Sequence, residues 1–168
     1  MLKIINDLKP FFEDCYRRIN VREYAKIIGV SPPTASKLLN FYNSRNLLLR
    51  TTYKNNILFF ANKDNRDFID LSRIYWRNEL ENLLSYLEKK LVDPAIILFG
   101  SLSKAEVKHD SDIDLAVFAQ KKNLTILSFE KSLKRKVQIF WFDSFQVMKN
   151  KELSNSILNG YILTGRLS

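Results

Sequence analysis

One segment in the second half of this 168-residue chain constrains its fold more than any other. It runs from the apolar residues 95–99 through a Gly-Ser pair at 100–101 and ends in Asp112-Ile-Asp114. Five apolar residues are typical of a buried strand, and a following glycine lets the backbone approach a ligand closely. Residues two apart in a strand share a face, so Asp112 and Asp114 would lie on one side. The segment predicts a strand, a turn, a short helix to about residue 106, a polar loop and a second strand.

The two carboxylates and the turn together suit a metal-bound nucleotide. Carboxylate oxygens are ligands that Mg²⁺ prefers, and Mg²⁺ completes its shell with water and substrate phosphates. A hydroxyl and the N–H groups at a helix start are suited to hold phosphate. We therefore expect Asp112 and Asp114 to be catalytic and to bind Mg²⁺ or Mn²⁺. We expect Gly100, Ser101 and Lys104 to bind the nucleotide.

Gly-Ser, ten residues and then Asp-x-Asp is also the signature of the minimal branch of the nucleotidyltransferase superfamily, which residues 95–142 resemble. The resemblance implies a mixed sheet covered by helices. It also implies transfer of a nucleoside monophosphate from an NTP, with ATP the expected nucleotide, to an acceptor that the sequence does not identify. Relatives act on small molecules, RNA ends or protein side chains. Some pair with a helical partner protein as antitoxins, so a helical partner is implied as well.

Gln138 departs from this pattern. The family places a third carboxylate on a later strand, and the matching strand here, residues 136–142, has Gln138 at that position. An amide oxygen can bind Mg²⁺, but it brings no charge and cannot act as a base. Asp143 would lie about 16 Å farther along the strand and does not replace it. Two alternatives stay open: an active nucleotidyltransferase, or a DNA-binding transcriptional regulator or antitoxin-like protein whose transferase domain is weak or inactive.

The positive charge of the chain lies mostly in its N-terminal third. The net charge is +9, and residues 1–66 contribute +7 of it from 12 basic and 5 acidic side chains. A basic module predicts a polyanionic partner, most simply nucleic acid. The alternative is that lysine and arginine only keep the surface soluble.

The same N-terminal third predicts three helices, near residues 2–13, 22–28 and 32–44, and then two strands. Ser31 is a good N-cap and Pro32 suits the first helical position of the third helix. Strands at 47–52 and 57–61 flank a segment whose asparagines tolerate a tight hairpin. This order resembles the winged helix-turn-helix family, and residues 22–39 resemble it closely.

The resemblance implies a DNA-binding face, because in that family the third helix enters the major groove and the hairpin contacts the flanking backbone. Carried over by position, the implied contacts are Ser31, Pro33, Thr34, Ser36, Lys37 and Asn40 on the helix, and Arg50 and Lys54 on the hairpin. Such domains also serve as protein-interaction or dimerisation modules, which is the alternative.

The predicted fold class is α+β with two domains. A winged helix DNA-binding domain occupies residues 1–66, and a nucleotidyltransferase-like domain with a mixed sheet occupies residues 67–168. The second domain begins with one long amphipathic helix, 67–91, whose apolar residues recur at three- and four-residue spacing. This helix would cover the sheet. Alternatively, its aromatic residues Phe68, Tyr75 and Trp76 would form a homodimer surface.

Smaller features limit the remaining possibilities. No apolar run approaches the roughly 18 residues that a membrane span needs, and charged residues near the N-terminus argue against a signal peptide. Cys15 is the only cysteine, which excludes an intrachain disulfide. We expect a cytoplasmic protein with no membrane partner. A short helix at 129–134 would carry a basic face with Arg135, either solvated or binding an acceptor, and one or two helices would follow within 144–160.

Overall fold

The computed structural model describes residues 2–144, 148 and 150–166. The chain divides into two compact units. Unit 1 comprises Met1–Tyr75 together with Ala105–His109, and unit 2 comprises Trp76–Lys104 together with Asp110–Ser168. The first unit therefore extends nine residues beyond the predicted boundary at 66 and also contains residues 105–109, which span the end of the predicted short helix and the start of the predicted polar loop.

Unit 1 contains three helices, a hairpin and the larger part of a fourth helix. Their bounds are α1 Lys3–Glu13, α2 Val21–Ile28, α3 Pro32–Ser44, β1 Leu48–Tyr53, β2 Asn56–Ala61 and α4 Arg66–Glu79. Helix α1 continues through Pro10. The N-cap of α2 is Asn20, which forms a capping box with Glu23, and Ser31 caps α3 through the Thr34 N–H.

Strands β1 and β2 form the expected antiparallel hairpin, with Leu48 opposite Ala61 and Tyr53 opposite Asn56. The turn residues Lys54 and Asn55 both have left-handed backbones, with φ of 45° and 61°. Two consecutive residues with positive φ give the turn that matches the twist of paired strands.

The core of unit 1 is built on aromatic side chains. Phe12 packs against Phe68 and Tyr75, with ring centroids 5.1 and 5.5 Å apart, and the Tyr75 hydroxyl donates to Glu13 at 3.0 Å. These contacts explain why the first part of α4 belongs to unit 1. They also bury Phe68 and Tyr75. Trp76 is buried as well, so these three rings do not form an exposed surface for a homodimer.

Residues 105–109 are also part of unit 1. The Cys15 N–H donates to the Val107 carbonyl at 2.8 Å, and Ala105 and Val107 are fully buried. The Lys108 ammonium lies 5.8 Å from the centre of the Tyr16 ring. The loop between Gly100 and Asp112 is therefore held in unit 1 at its middle.

Unit 2 is a four-stranded mixed sheet with helices. Its elements are the end of α4, α5 Glu81–Lys90, β3 Ala95–Phe99, β4 Ile113–Phe118, α6 Leu127–Leu133, β5 Val137–Phe142, α7 Lys151–Leu158 and β6 Tyr161–Thr164. The strand order is β5-β4-β3-β6. Strands β4 and β5 are parallel, and the other two pairs are antiparallel. All five residues of β3 are buried, as expected for a central strand. The mixed α+β architecture predicted for this half is confirmed.

The prediction of one helix over 67–91 is wrong, because α4 ends at Glu79 and α5 begins at Glu81. Leu80 still donates to the Trp76 carbonyl and accepts from the Leu84 N–H, so the interruption is local. Three- and four-residue spacing of apolar residues continues across this interruption, so the sequence pattern does not reveal it. Of the helices expected within 144–160, α7 is present, whereas 145–147 and 149 lie outside the described residues. Across the described ranges, no helix is both long and apolar enough to cross a membrane.

Candidate active site

The sheet of unit 2 brings the two halves of the Gly-Ser and Asp-x-Asp segment together. Phe99, the last residue of β3, lies opposite Asp114 on β4, and Asp114 lies beside Gln138 on β5. Asp112 precedes β4, which begins at Ile113. The Gly-Ser turn, the Asp-x-Asp segment and Gln138 therefore meet at one end of the sheet.

Gly100 is required at its position for two physical reasons. Its φ is +70°, in the left-handed region that side chains with a Cβ rarely adopt. A Cβ added here would also overlap the Asp114 Oδ2. The Asp114 carboxylate thus lies directly against the Gly100 Cα, which fixes the distance between the turn and the acid.

The turn after Gly100 is shorter than predicted. The expected helix to residue 106 is a single 3₁₀ turn, Leu102–Lys104, closed by a bond from the Ser103 hydroxyl to the Gly100 carbonyl at 2.9 Å. Ser103 itself is fully buried. Because the turn is only three residues long, it lacks the aligned N–H groups of a longer helix. Ser101 is half-buried and Lys104 is exposed, so any phosphate contact would come from their side chains and nearby backbone N–H groups.

Asp114 carries an electrostatic cost in the folded chain. Burial raises the pKa of its carboxyl above the usual range, and the negative charge of Asp112 raises it further. Within the described part of the chain, no hydrogen-bond donor reaches its side chain. A divalent cation between the two carboxylates would offset both costs, so the donor set fits Mg²⁺ or Mn²⁺.

Gln138 occupies the position next to the two acids. Its Nε2 donates to the Asp112 Oδ2 at 2.6 Å, and a carboxylate accepts only from the nitrogen end of an amide. The amide oxygen therefore points away from Asp112. In the described ranges, no three His, Cys, Asp or Glu side chains are grouped as a metal site. Any cation here would depend on two carboxylates.

Arg135 is a residue whose place the sequence does not reveal. Its Nη1 donates to the Ser111 carbonyl at 2.7 Å, and its guanidinium lies 5.1 Å from the centre of the Trp76 ring. The expected solvated basic face therefore does not include this side chain, which is half-buried. Trp76 and Ser111 are distant in sequence, and no local pattern links them to Arg135.

The predicted DNA-contacting residues lie on two neighbouring elements of unit 1. Exposed members are Ser31, Pro33, Thr34, Lys37, Asn40, Arg50 and Lys54, while Ser36 is half-buried. Some of the polar side chains of α3 already form hydrogen bonds with other residues of the same helix or its N-cap. The Ser31 hydroxyl contacts the Thr34 hydroxyl at 2.9 Å, and the Asn40 amide donates to the Ser36 carbonyl at 2.9 Å. Lys37, by its exposure and charge, is the group on this helix best suited to meet a phosphate.

The comparison with protein families agrees with the geometry of unit 2. Residues 81–167, just over half of the chain, match the family described as polymerase beta, nucleotidyltransferase. The matched span begins at α5 and includes the Gly-Ser turn, both aspartates and Gln138. No curated protein and no solved structure matches the chain. The chain belongs to the polymerase beta nucleotidyltransferase family.

Proposed function

We propose that the protein transfers a nucleoside monophosphate from an NTP, with ATP the expected nucleotide, to an acceptor that the chain does not identify. The observation that carries this proposal is the placement of the Asp114 carboxylate against the Gly100 Cα, beside Asp112. Burial, and then the negative charge of Asp112, raise the pKa of Asp114, a perturbation of the kind that clusters at functional sites. Family membership of the same segment supports the assignment.

Each residue of the turn and strand has a distinct role in this proposal. Asp112 and Asp114 would hold Mg²⁺ or Mn²⁺, which would supply neutralisation of negative charge on the phosphorus oxygens. Ser101 and Lys104 contact the triphosphate, and Gly100 leaves room for it. A nucleophilic atom of the acceptor bonds to the α-phosphorus as the bond to the bridging oxygen breaks, and pyrophosphate leaves. Gln138 cannot take the acceptor's proton, so that proton passes to water.

Transfer of label from α-³²P-ATP tests this proposal directly. The purified chain is incubated with Mg²⁺ or Mn²⁺ and candidate acceptors, and Asp112→Asn is compared with Asp110→Asn. Asp110 is an exposed acid in the same loop, so its variant has the same charge change outside the proposed site. Label transfer that is lost only in Asp112→Asn supports the proposal. Equal transfer in the parent and Asp112→Asn would overturn it.

In the same proposal, unit 1 is a winged helix that binds DNA. Three helices followed by an antiparallel hairpin support this, as does a bridge in which Ile19 and Phe59 exchange two bonds of 2.9 Å. The exposed Lys37 on α3, with Arg50 and Lys54 on the hairpin, would meet phosphates. Lys37→Glu is expected to weaken DNA binding and reduce its dependence on salt. Lys3→Glu makes the same charge change at an exposed residue of a different helix, α1, and equal losses in both variants would argue against α3 as the DNA-contacting helix.

A second candidate function is a DNA-binding regulator whose transferase site is weak or inactive, and which pairs with itself or with a helical partner. The bond from Gln138 to Asp112 favours it, because an amide stands where a third carboxylate would complete the charge. Gln138→Asp discriminates between the two functions. Transfer gained only in this variant would support the regulator, whereas transfer already present in the parent would support the enzyme.

A further inference from the structure

Asp112 lies outside the ladder of hydrogen bonds that orders the sheet. Strand β4 begins one residue later, at Ile113, so the pairing of β4 does not by itself fix the position of Asp112. Three hydrogen bonds to residues 135–138 fix it instead. The Ile113 N–H donates to the Lys136 carbonyl at 2.8 Å, Gln138 donates to the Asp112 carboxylate, and Arg135 donates to the Ser111 carbonyl. Residues 135–138 therefore hold the peptide on each side of Asp112.

Arg135 is the member of this group that is itself most firmly placed. Its guanidinium lies over the ring of Trp76, which is only 3% exposed. Its backbone N–H donates to the Glu130 carbonyl at 3.2 Å, which closes the end of α6. Glu130 in turn accepts from the Val137 N–H at 2.9 Å. A planar guanidinium that is both stacked and hydrogen-bonded has little freedom.

We propose that Arg135 is a positioning residue for the cation site, acting through the Ser111 carbonyl on the carboxylate of Asp112, with Trp76 as its support. This inference rests on the proposed cation binding by Asp112 and Asp114. Metal ligands must be held to within about 0.5 Å by the groups behind them. Loss of an outer partner typically lowers metal affinity on the order of 10- to 100-fold.

The sign of the effect separates positioning from plain electrostatics. Arg135→Gln removes a positive charge from the neighbourhood of a cation site, and Coulomb's law alone predicts tighter cation binding. Loss of positioning predicts weaker binding instead. Lys136→Gln removes the same charge from the adjacent exposed side chain, while its backbone carbonyl can still accept from Ile113. That variant therefore reports the electrostatic effect without loss of the Arg135 bond.

Titration of the parent and variants with Mn²⁺, followed by electron paramagnetic resonance of the free ion, tests the proposal. We expect a dissociation constant raised on the order of tenfold in Arg135→Gln, a smaller rise in Arg135→Lys, and an unchanged or lowered value in Lys136→Gln. Thermal unfolding monitored by circular dichroism confirms that each variant is folded at the titration temperature. Unchanged or tighter Mn²⁺ binding in Arg135→Gln would overturn the inference, as would equal weakening in Lys136→Gln.

A second measurement separates failure of this inference from failure of the proposed function. If the parent binds Mn²⁺ no better than Asp112→Asn does, the proposed cation site is wrong. Amide hydrogen exchange by NMR still tests positioning in that case, because it needs no metal. The Ile113 amide donates to the Lys136 carbonyl, and we expect it to exchange faster in Arg135→Gln and at the parent rate in Lys136→Gln. Equal exchange in both variants would show that Arg135 does not hold this segment.

Discussion

Two aspartates removed from solvent, one in each unit, show how differently a fold can treat the same side chain. Asp7 in unit 1 is 8% exposed. Its carboxylate accepts a bond of 2.6 Å from the Tyr42 hydroxyl, and its carbonyl accepts one of 2.8 Å from Tyr24. Asp114 in unit 2 is half-buried, faces the Gly100 Cα, and lies near a second acid.

The comparison separates an acid that holds a core together from one suited to bind a ligand. Asp7 joins α1 to α2 and α3, and burial together with its negative charge raises the pKa of both tyrosines above the usual range. Its partners belong to the fold. The ionised Asp114 carboxylate raises the free energy of the folded chain, and its neighbours among the described residues give it no hydrogen bond like the one that Asp7 accepts from Tyr42. This pattern is expected where the compensating partner is a ligand.

The largest expected effect comes from Asp114→Asn. Loss of a metal ligand is expected to lower label transfer on the order of 100-fold or more, since metal ions supply several kcal/mol of charge stabilisation. The melting temperature at neutral pH should stay the same or rise, because asparagine carries no charge to desolvate. Transfer assays and calorimetry on the same preparations measure both. Retained transfer together with a lower melting temperature would show that Asp114, as proposed for Asp7, serves to stabilise the fold and not to bind a metal ion.

Asp7→Ala is expected to have the opposite profile. It leaves the buried Tyr42 hydroxyl without its acceptor, which costs about 1–3 kcal/mol. Urea unfolding measures the change, and Tyr42→Phe completes a double-mutant cycle. The double variant should lose less than the sum of the two single losses, because the residues share one bond. Strict additivity would show that the Asp7–Tyr42 bond contributes little to unit 1.

Gly100→Ala and Gly29→Ala form a matched pair that tests how closely Asp114 approaches the turn. Both glycines have φ of +70°, but a Cβ on Gly29 would meet nothing within 4 Å. Gly29→Ala should therefore cost only the left-handed conformation, about 1–2 kcal/mol. Gly100→Ala should cost more in urea unfolding and also lower label transfer, because its methyl group displaces the Asp114 carboxylate. Equal stability losses with unchanged transfer would contradict the contact between Gly100 and Asp114.

The sequence predicted the parts of this site that depend on local spacing. The strand before Gly100, the second strand with Asp114 and the third with Gln138 are all present within one or two residues of their expected bounds. Parallel pairing of β4 with β5 then places Gln138 beside the acids. Alternation and turn residues encode such features over a few positions.

The parts that the sequence did not reveal depend on contacts between distant residues. No neighbouring residue in the sequence indicates that Asp7 is buried, because the tyrosines that donate hydrogen bonds to it lie 17 and 35 residues away. The bond between Cys15 and Val107 places the middle of the site's loop in unit 1, and no periodic pattern encodes it. The stack of Arg135 on Trp76 is equally non-local. Packing, not local propensity, decides these positions.

The smallest expected effect is the pH dependence of the difference between the parent and Asp114→Asn. Because the folded pKa of Asp114 is raised, the folded state binds its proton more tightly than the unfolded chain does. The contribution of Asp114 to stability is thus fully present below the ordinary carboxyl pKa and is lost as pH rises through the raised value. Urea unfolding at closely spaced pH values should show the parent becoming less stable than Asp114→Asn across that window. Mn²⁺ affinity should rise over the same window, since the cation needs the ionised carboxylate. A stability difference that stays flat with pH would mean that the Asp114 carboxylate is compensated within the fold.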